Sequence, residues 1–203
     1  MPLSVYSLKP RFQKLLRPVT AALAGAGVSA NQVTLAALAL SIVCGGVIAL
    51  WPERTWLLLL LPAVLLVRMG LNAVDGMLAR EHGQASALGA ILNELGDLLS
   101  DAALYLPLAL VPGLPPALVV LVVVLALIAE AAGILALAVG AGRRYDGPMG
   151  KSDRAAVFGG LGFVLALGVP PGAWLDWVLW LVLLLLVLTA VNRVRKALEE
   201  RTP

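Results

Sequence analysis

Cysteine and histidine each occur once in the 203 residues, as Cys44 and His82. An intramolecular disulfide is therefore impossible, and a Cys/His metal cage is excluded. Cys44 sits in an apolar run and reads as a small packing residue. Charge is scarce too: 13% of residues are Asp, Glu, Lys or Arg, about half the ~25% of a soluble domain. What fills the chain is aliphatic. Hydrophobic residues make up 61%, the mean hydropathy is +0.95, and uncharged runs cover 57–67, 102–129 and 134–142. A soluble enzyme and a secreted disulfide scaffold are both excluded, and the composition is that of an all-α polytopic membrane protein.

At about 20 residues per span, six transmembrane helices fit near 31–51, 55–80, 86–111, 116–141, 152–169 and 173–192. The breaks between them are Pro-, Gly- or charge-rich, as at 51–54, 81–84, 112–116, 143–154 and 170–172. Three segments result: an N-terminal juxtamembrane helix in 1–28, a six-helix domain over 29–192, and a basic tail over 193–203. With six spans, all of the 15 Lys and Arg except Arg54 and Arg68 fall on one side. The positive-inside rule makes that side cytoplasmic and puts both termini there, in the inner (cytoplasmic) membrane. Trp51, Trp56, Trp174, Trp177 and Trp180 fall at the opposite, charge-poor interface, as an aromatic belt does.

Ahead of the first span, Phe12, Leu15, Leu16, Val19 and Leu23 recur at helical spacing, with Arg11, Lys14 and Thr20 off that stripe. A basic amphipathic helix on the inner leaflet is expected. The rival is a cleaved signal peptide, but its apolar part, 19–28, is short, interrupted by glycine and preceded by Pro10 and Pro18. The net charge of +3 reflects leaflet-facing loops and does not point to nucleic acid.

Acids inside spans are costly, at ~2.5–3.5 kcal/mol each by insertion scales, yet Asp75, Glu94, Asp97, Asp101 and Glu130 all fall in or at the mouth of spans. Asn72, Asp75, Gly76 and Ala79 share one face of the second span, and Gly89, Asn93, Asp97 and Asp101 follow every four residues on the third. Two helices joined by a short polar loop are antiparallel neighbours. Their polar faces can form an oxygen-rich cluster suited to a hard divalent cation. Small-residue helix packing is an equal reading of Gly76, Ala79 and Gly89. Arg68 lies about two turns from Asp75 at ~1.5 Å per residue, a depth that suits a structural ion pair with Asp101 and Glu130.

The run Asn72-x-x-Asp75-Gly76-x-x-Ala79-Arg80, eight residues, then Gly89-x-x-x-Asn93-x-x-x-Asp97 resembles the signature of the CDP-alcohol phosphatidyltransferase family, D-x-x-D-G-x-x-A-R-x8-G-x-x-x-D-x-x-x-D. Every spacing matches. The departures are Asn72 and Asn93, where that family has its first and third aspartates. Residues 29–34 and 150–154 are also similar to that family.

The resemblance implies transfer of a phosphatidyl group from CDP-diacylglycerol to an alcohol with release of CMP, by a homodimer in the membrane. It implies Asp75, Asp97, Asn72 and Asn93 as ligands of Mg²⁺ or Mn²⁺. Two carboxylates suffice for one ion and leave a second dependent on Glu94 or the substrate pyrophosphate. Asp97 is implied as general base, with a purely metal-ligating role as the alternative. Asn31, Thr34, Gly76, Ala79, Arg80 and Gly89 are implied at the nucleotide, although Arg80 equally suits a positive-inside anchor. Lys151, Arg154, Arg143 and Arg144 are candidates for an acceptor phosphate, Lys151 and Arg154 opening a helix, and ordinary positive-inside loop charge is their other reading.

Three functional classes stand at this point. They are the transferase, a non-catalytic lipid-binding scaffold with a decayed motif, and a small ion-coupled transporter. The last predicts acids spread along a transmembrane path, whereas the motif residues bunch toward one side. The topology carries its own test. In a Cys44→Ser background, Asp146→Cys should resist a membrane-impermeant thiol reagent applied outside intact cells, and labelling there would overturn the orientation.

Overall fold

The structure, a computed structural model, describes residues 9–200, with side chains from residue 12 onward. The remainder of the expected N-terminal segment and basic tail, including Arg201 and the side chains of Lys9 and Arg11, lies outside the described residues. The fold is all-helical, at 81% helix, with no strand among the described residues. Seven α-helices follow in order: α1 (Lys9–Gly25), α2 (Ala30–Leu50), α3 (Leu60–Glu81), α4 (Ala87–Tyr105), α5 (Pro116–Leu135), α6 (Lys151–Ala166) and α7 (Ala173–Glu200). Short 3₁₀ turns at Thr55–Leu59, Leu106–Leu110 and Ala136–Val139 extend the starts or ends of three of them.

The helix starts are set by local chemistry. Ser29 Oγ accepts the Gln32 amide at 3.2 Å while Gln32 Oε1 accepts the Ser29 amide at 2.9 Å, a reciprocal capping box that opens α2. Ser86 Oγ accepts the Gly89 amide at 3.0 Å ahead of α4. Pro116 opens α5, where its missing N–H costs nothing. Asp153 Oδ2 accepts the Gly150 amide at 2.9 Å at the start of α6. After α5, Gly140 takes φ +81°, the left-handed conformation that ends a helix cheaply only as glycine.

Four helical stretches are long and apolar enough to cross a membrane: Ala30–Leu50, Thr55–Glu81, Pro116–Val139 and Ala173–Glu200. The other two expected spans are helical, but α4 carries Glu94, Asp97 and Asp101, and α6 has 16 residues. Along α7 the exposed face is apolar, through Trp177, Leu181, Leu184, Leu188 and Val191, as on a helix that meets lipid. That helix also continues to Glu200, past the expected end of the last span at 192.

The chain divides into two compact units, one of residues up to 40 with 66–97, the other of residues 41–65 with 98 onward. In the first, Ala30, Val33, Val74 and Leu78 form a buried cluster against which Leu16, Leu23, Val28, Leu71 and Ala79 pack. Thr20 is buried with its hydroxyl 3.9 Å from Met77 Sδ, whereas Leu15 and Val19 are exposed. The inward face of α1 is thus Leu16, Thr20 and Leu23, rotated from the expected stripe. The reason is that its apolar arc divides between protein and outer surface. Gln84 accepts the Ala30 amide at 2.6 Å and donates to the Val28 carbonyl at 3.2 Å, tying the α3–α4 loop to the α1–α2 connection.

In the second unit α5 packs along α7, and α6 packs on the 3₁₀ turn at Thr55–Leu59. The Tyr105 and Phe158 rings stack at 4.1 Å between centroids. Residue 45 must be glycine: a Cβ there would lie 1.8 Å from the Ala103 carbonyl oxygen. At Gly46 a Cβ would meet nothing within 4 Å. Gly45→Ala should therefore cost about 3 kcal/mol, the upper end for overpacking, while Gly46→Ala should be neutral or slightly stabilising. Unfolding midpoints of the two variants in detergent check this.

Candidate functional site

The motif residues gather in the first unit as a set of close pairs. The Thr34 hydroxyl, on α2, lies 2.9 Å from Oδ2 of the buried Asp75, on α3, and 3.1 Å from the Ala30 carbonyl. Its single hydrogen favours the charged acceptor. From α3, Asn72 Nδ2 donates to Asp97 Oδ1 on α4 at 3.3 Å. Arg68 Nη2 donates to the same Oδ1 at 3.3 Å and to the Asp97 carbonyl at 3.1 Å. Two positions four residues apart on α3 thus grip one residue of α4, as the i, i+4 rule allows for one helix face.

The glycines mark close approaches. A Cβ at Gly76 would lie 2.7 Å from the Arg80 guanidinium, which folds back over that turn. A Cβ at Gly89 would lie 2.8 Å from Asn31 Oδ1, so Asn31 and Gly89 adjoin. Ala79 packs on the Val74 and Leu78 cluster. Asn93 lies on α4 one turn before Asp97.

The donor set suits a hard divalent ion by type, since Asp75, Asp97, Asn72 and Asn93 can offer oxygen. Among the described residues no three His, Cys, Asp or Glu side chains form a metal cage.

The basic candidates fall in the second unit, where they belong to a buried ion network. Arg154, 1% exposed, donates through Nε and Nη2 to Asp101 Oδ2 at 3.1 and 2.8 Å, and through Nη2 to Glu130 Oε2 at 3.0 Å. Arg143 Nη2 reaches Glu130 Oε1 at 3.0 Å, and its guanidinium sits 4.2 Å above the Tyr145 ring. Arg144 turns elsewhere, to Asp146 Oδ2 at 2.9 Å and to Glu200. Lys151 opens α6. Arg68 bridges to Asp97, and Arg154 holds Asp101 and Glu130, pairs that the expected grouping of Arg68 with those two acids did not include.

Arg193 was expected only as tail charge, yet it is buried, donating to the Ala129 carbonyl at 2.7 Å and the Asp146 carbonyl at 3.2 Å, with Glu130 Oε2 at 3.3 Å. A signal for it exists in the sequence. Leu186, Thr189, Arg193 and Ala197 fall at i, i+3, i+7 and i+11, the buried stripe of α7.

A model of the CDP-alcohol phosphatidyltransferase family matches residues 28–191. The inner membrane protein YnbA of Escherichia coli (strain K12) is 48% identical over 199 residues, 97% of each chain. A phosphatidylinositol phosphate synthase of Mycolicibacterium smegmatis is 33% identical over 96 residues, 46% of this chain and 40% of that one. Two crystal structures of the Mycobacterium tuberculosis phosphatidylinositol phosphate synthase share the fold. The form with CDP-DAG bound matches at TM-score 0.76 and 22% identity, over 91% of this chain and 94% of that one. The complex with manganese and citrate matches at TM-score 0.74 and 23% identity, over 89% and 88%.

The loop before α6 carries a titratable anchor outside the spans. The Asp146 carboxyl is held below its ordinary range, first by its hydrogen bond from Lys196, then by that from Arg144, against the opposing effect of burial. A lowered folded-state value contributes stability that is present above the unfolded value and lost as pH falls through the folded one. Amide exchange at residues 144–149, corrected for intrinsic rate, should therefore rise as pH drops below the usual aspartate range. Asp146→Asn should show the same rise at neutral pH.

Proposed function

Because the chain belongs to the CDP-alcohol phosphatidyltransferase family, we propose that it transfers a phosphatidyl group from CDP-diacylglycerol to a hydroxyl of a phosphorylated polyol, releasing CMP. The observation that carries this reading is the contact of Asn72 with Asp97 together with the Thr34 to Asp75 hydrogen bond. These bonds link motif residues of α2 to α3 and of α3 to α4, which supports the reading. In the reaction the acceptor oxygen bonds to the lipid-side phosphorus and the phosphoanhydride bond to CMP breaks. The hydroxyl proton passes to Asp97 as general base.

Asp75, with the amide oxygens of Asn72 and Asn93 and the Asp97 carboxylate, would hold Mg²⁺ or Mn²⁺. Bound there, the ion supplies charge neutralisation for the pyrophosphate and the leaving phosphate. Thr34 orients Asp75 through its hydroxyl. Asn31, Gly89, Gly76, Ala79 and Arg80 line the nucleotide side, where the glycines keep room for close approach. For the acceptor phosphate the candidates are Lys151, Arg143, Arg144 and Arg154, of which Arg154 is buried and already bonded to Asp101 and Glu130.

The same reading includes six spans with α1 on the inner leaflet, both termini cytoplasmic, and a homodimer in the inner membrane. What supports α4 as a span is that two of its three acids are met by buried arginines, Asp97 by Arg68 and Asp101 by Arg154. One observation favours a second reading, a non-catalytic lipid-binding scaffold: two of four motif carboxylates are replaced by the neutral Asn72 and Asn93.

Purified protein with CDP-diacylglycerol, Mg²⁺ or Mn²⁺ and a panel of alcohols should release CMP with a phosphorylated polyol. Asp75→Asn and Asp97→Asn should each lower that rate by about 10²-fold or more, the scale of a lost acid–base group, without changing the unfolding midpoint by a comparable factor. No CMP with any acceptor would leave the scaffold reading in its place.

A further inference from the structure

Arg68 is the one basic residue set deep in α3, with its side chain 3% exposed. A guanidinium there is permanently charged, and a buried charge persists only when paired and hydrogen-bonded. On Asp97 it makes two contacts: Nη2 donates to the main-chain carbonyl at 3.1 Å and to Oδ1 at 3.3 Å. Asn72, one turn further along α3, donates to that same Oδ1. The motif carboxylate on α4 is therefore held from two successive turns of α3, and its charge is matched by a fixed cation.

The charge of the set follows directly. Asp75 and Asp97 are formally negative, Asn72 and Asn93 neutral and Arg68 positive, so the five side chains carry one net negative charge. One divalent ion already makes the set positive. A second would join a partly buried site of its own sign, where like charges a few ångströms apart repel.

We propose that Arg68 is a built-in cation of the motif site, which limits this chain to a single divalent ion and fixes the Asp97 carboxylate in place. This rests on the reading that the ion is held at Asp75 and Asp97. It assigns to Arg68 a positioning role that hydropathy and topology give no reason for. A purely structural bridge needs only the hydrogen bonds, whereas the proposal needs the charge. Arginine, lysine and glutamine at this position therefore behave differently.

The test is Mn²⁺ binding to the full chain in detergent or nanodiscs, followed by the electron paramagnetic resonance signal of free Mn²⁺, without substrate. The unaltered chain should bind one Mn²⁺. Arg68→Gln should bind it about tenfold more tightly or admit a second ion, because a neighbouring positive charge has been removed. Arg68→Lys, which keeps the charge with different hydrogen-bond geometry, should stay near the parent affinity. Any count other than one per unaltered chain, or equal affinity in the Gln and Lys variants, overturns the proposal. Should Arg68→Gln not fold, Arg68→Met makes the same comparison with Arg68→Lys, and two ions on the unaltered chain overturn the proposal outright. CMP release by that same unaltered preparation tests the transferase reading separately, since a chain that binds two ions and releases CMP sinks only the role of Arg68.

Discussion

The second unit is organised around Glu130, whose two carboxylate oxygens serve three arginines. Oε1 takes Arg143, and Oε2 takes Arg154 and Arg193. These bases come from the α5–α6 loop, α6 and α7, so one side chain on α5 ties together segments distant in sequence. Asp101 brings α4 into the same network through Arg154. Desolvating such ions is expensive, and their mutual attraction offsets that cost only while every partner is present. Removing one member leaves the others charged and buried, a loss of roughly 3–5 kcal/mol. Hydrophobic packing holds the helices side by side, but it is nearly indifferent to rotation and sliding in an apolar environment. The ion network is what sets a register.

The first unit solves a related problem with less charge. Its polar contacts include a hydroxyl on Asp75, an amide and a guanidinium on Asp97, and Gln84 stitched to two backbone groups of the α1–α2 connection. The glycine at 89 lets Asn31 come against α4, and the glycine at 76 gives Arg80 room to fold back. Small residues in this run are thus occupied by neighbouring polar side chains of the protein itself. Both the packing and the ligand-approach readings of the motif glycines describe the same space.

Much of the helix layout was legible because membrane-length apolar runs are long signals punctuated by proline and glycine. The expected 116–141 is α5 with its 3₁₀ extension to Val139, and the expected 31–51 is α2 within a residue at each end. The motif contacts between Asn72 and Asp97 were legible from i, i+4 spacing on two helices joined by a short loop. Partner choice was not. Depth along a helix suggested Arg68 for Asp101 and Glu130 but gave no sign of the Arg68 bridge to Asp97 or of Arg154 on both other acids, because depth is one coordinate and rotation about the axis decides which neighbours a side chain meets. The burial of Thr20 on α1 was not legible for the same reason, since an apolar arc wide enough for two surroundings does not say which edge meets which. Arg193 was hidden by the end of the hydropathy signal, because a charged turn past an apolar run looks like a tail whether or not it packs.

The continuation of α7 to Glu200 changes what counts as dispensable. Its last turns carry Arg193, which reaches the Ala129 and Asp146 carbonyls, Lys196, which reaches the Asp146 carboxylate, and Glu200, which meets Arg144. Ala197, between them, is buried with Ala136 and Ala141. A chain trimmed where its final hydrophobic stretch stops would keep every membrane-length run and still lose the clamp on the loop that leads into α6. Expression designs, reporter fusions and domain definitions drawn from hydropathy would all cut on the wrong side of that clamp. The usable boundary for this protein lies after the charged turns.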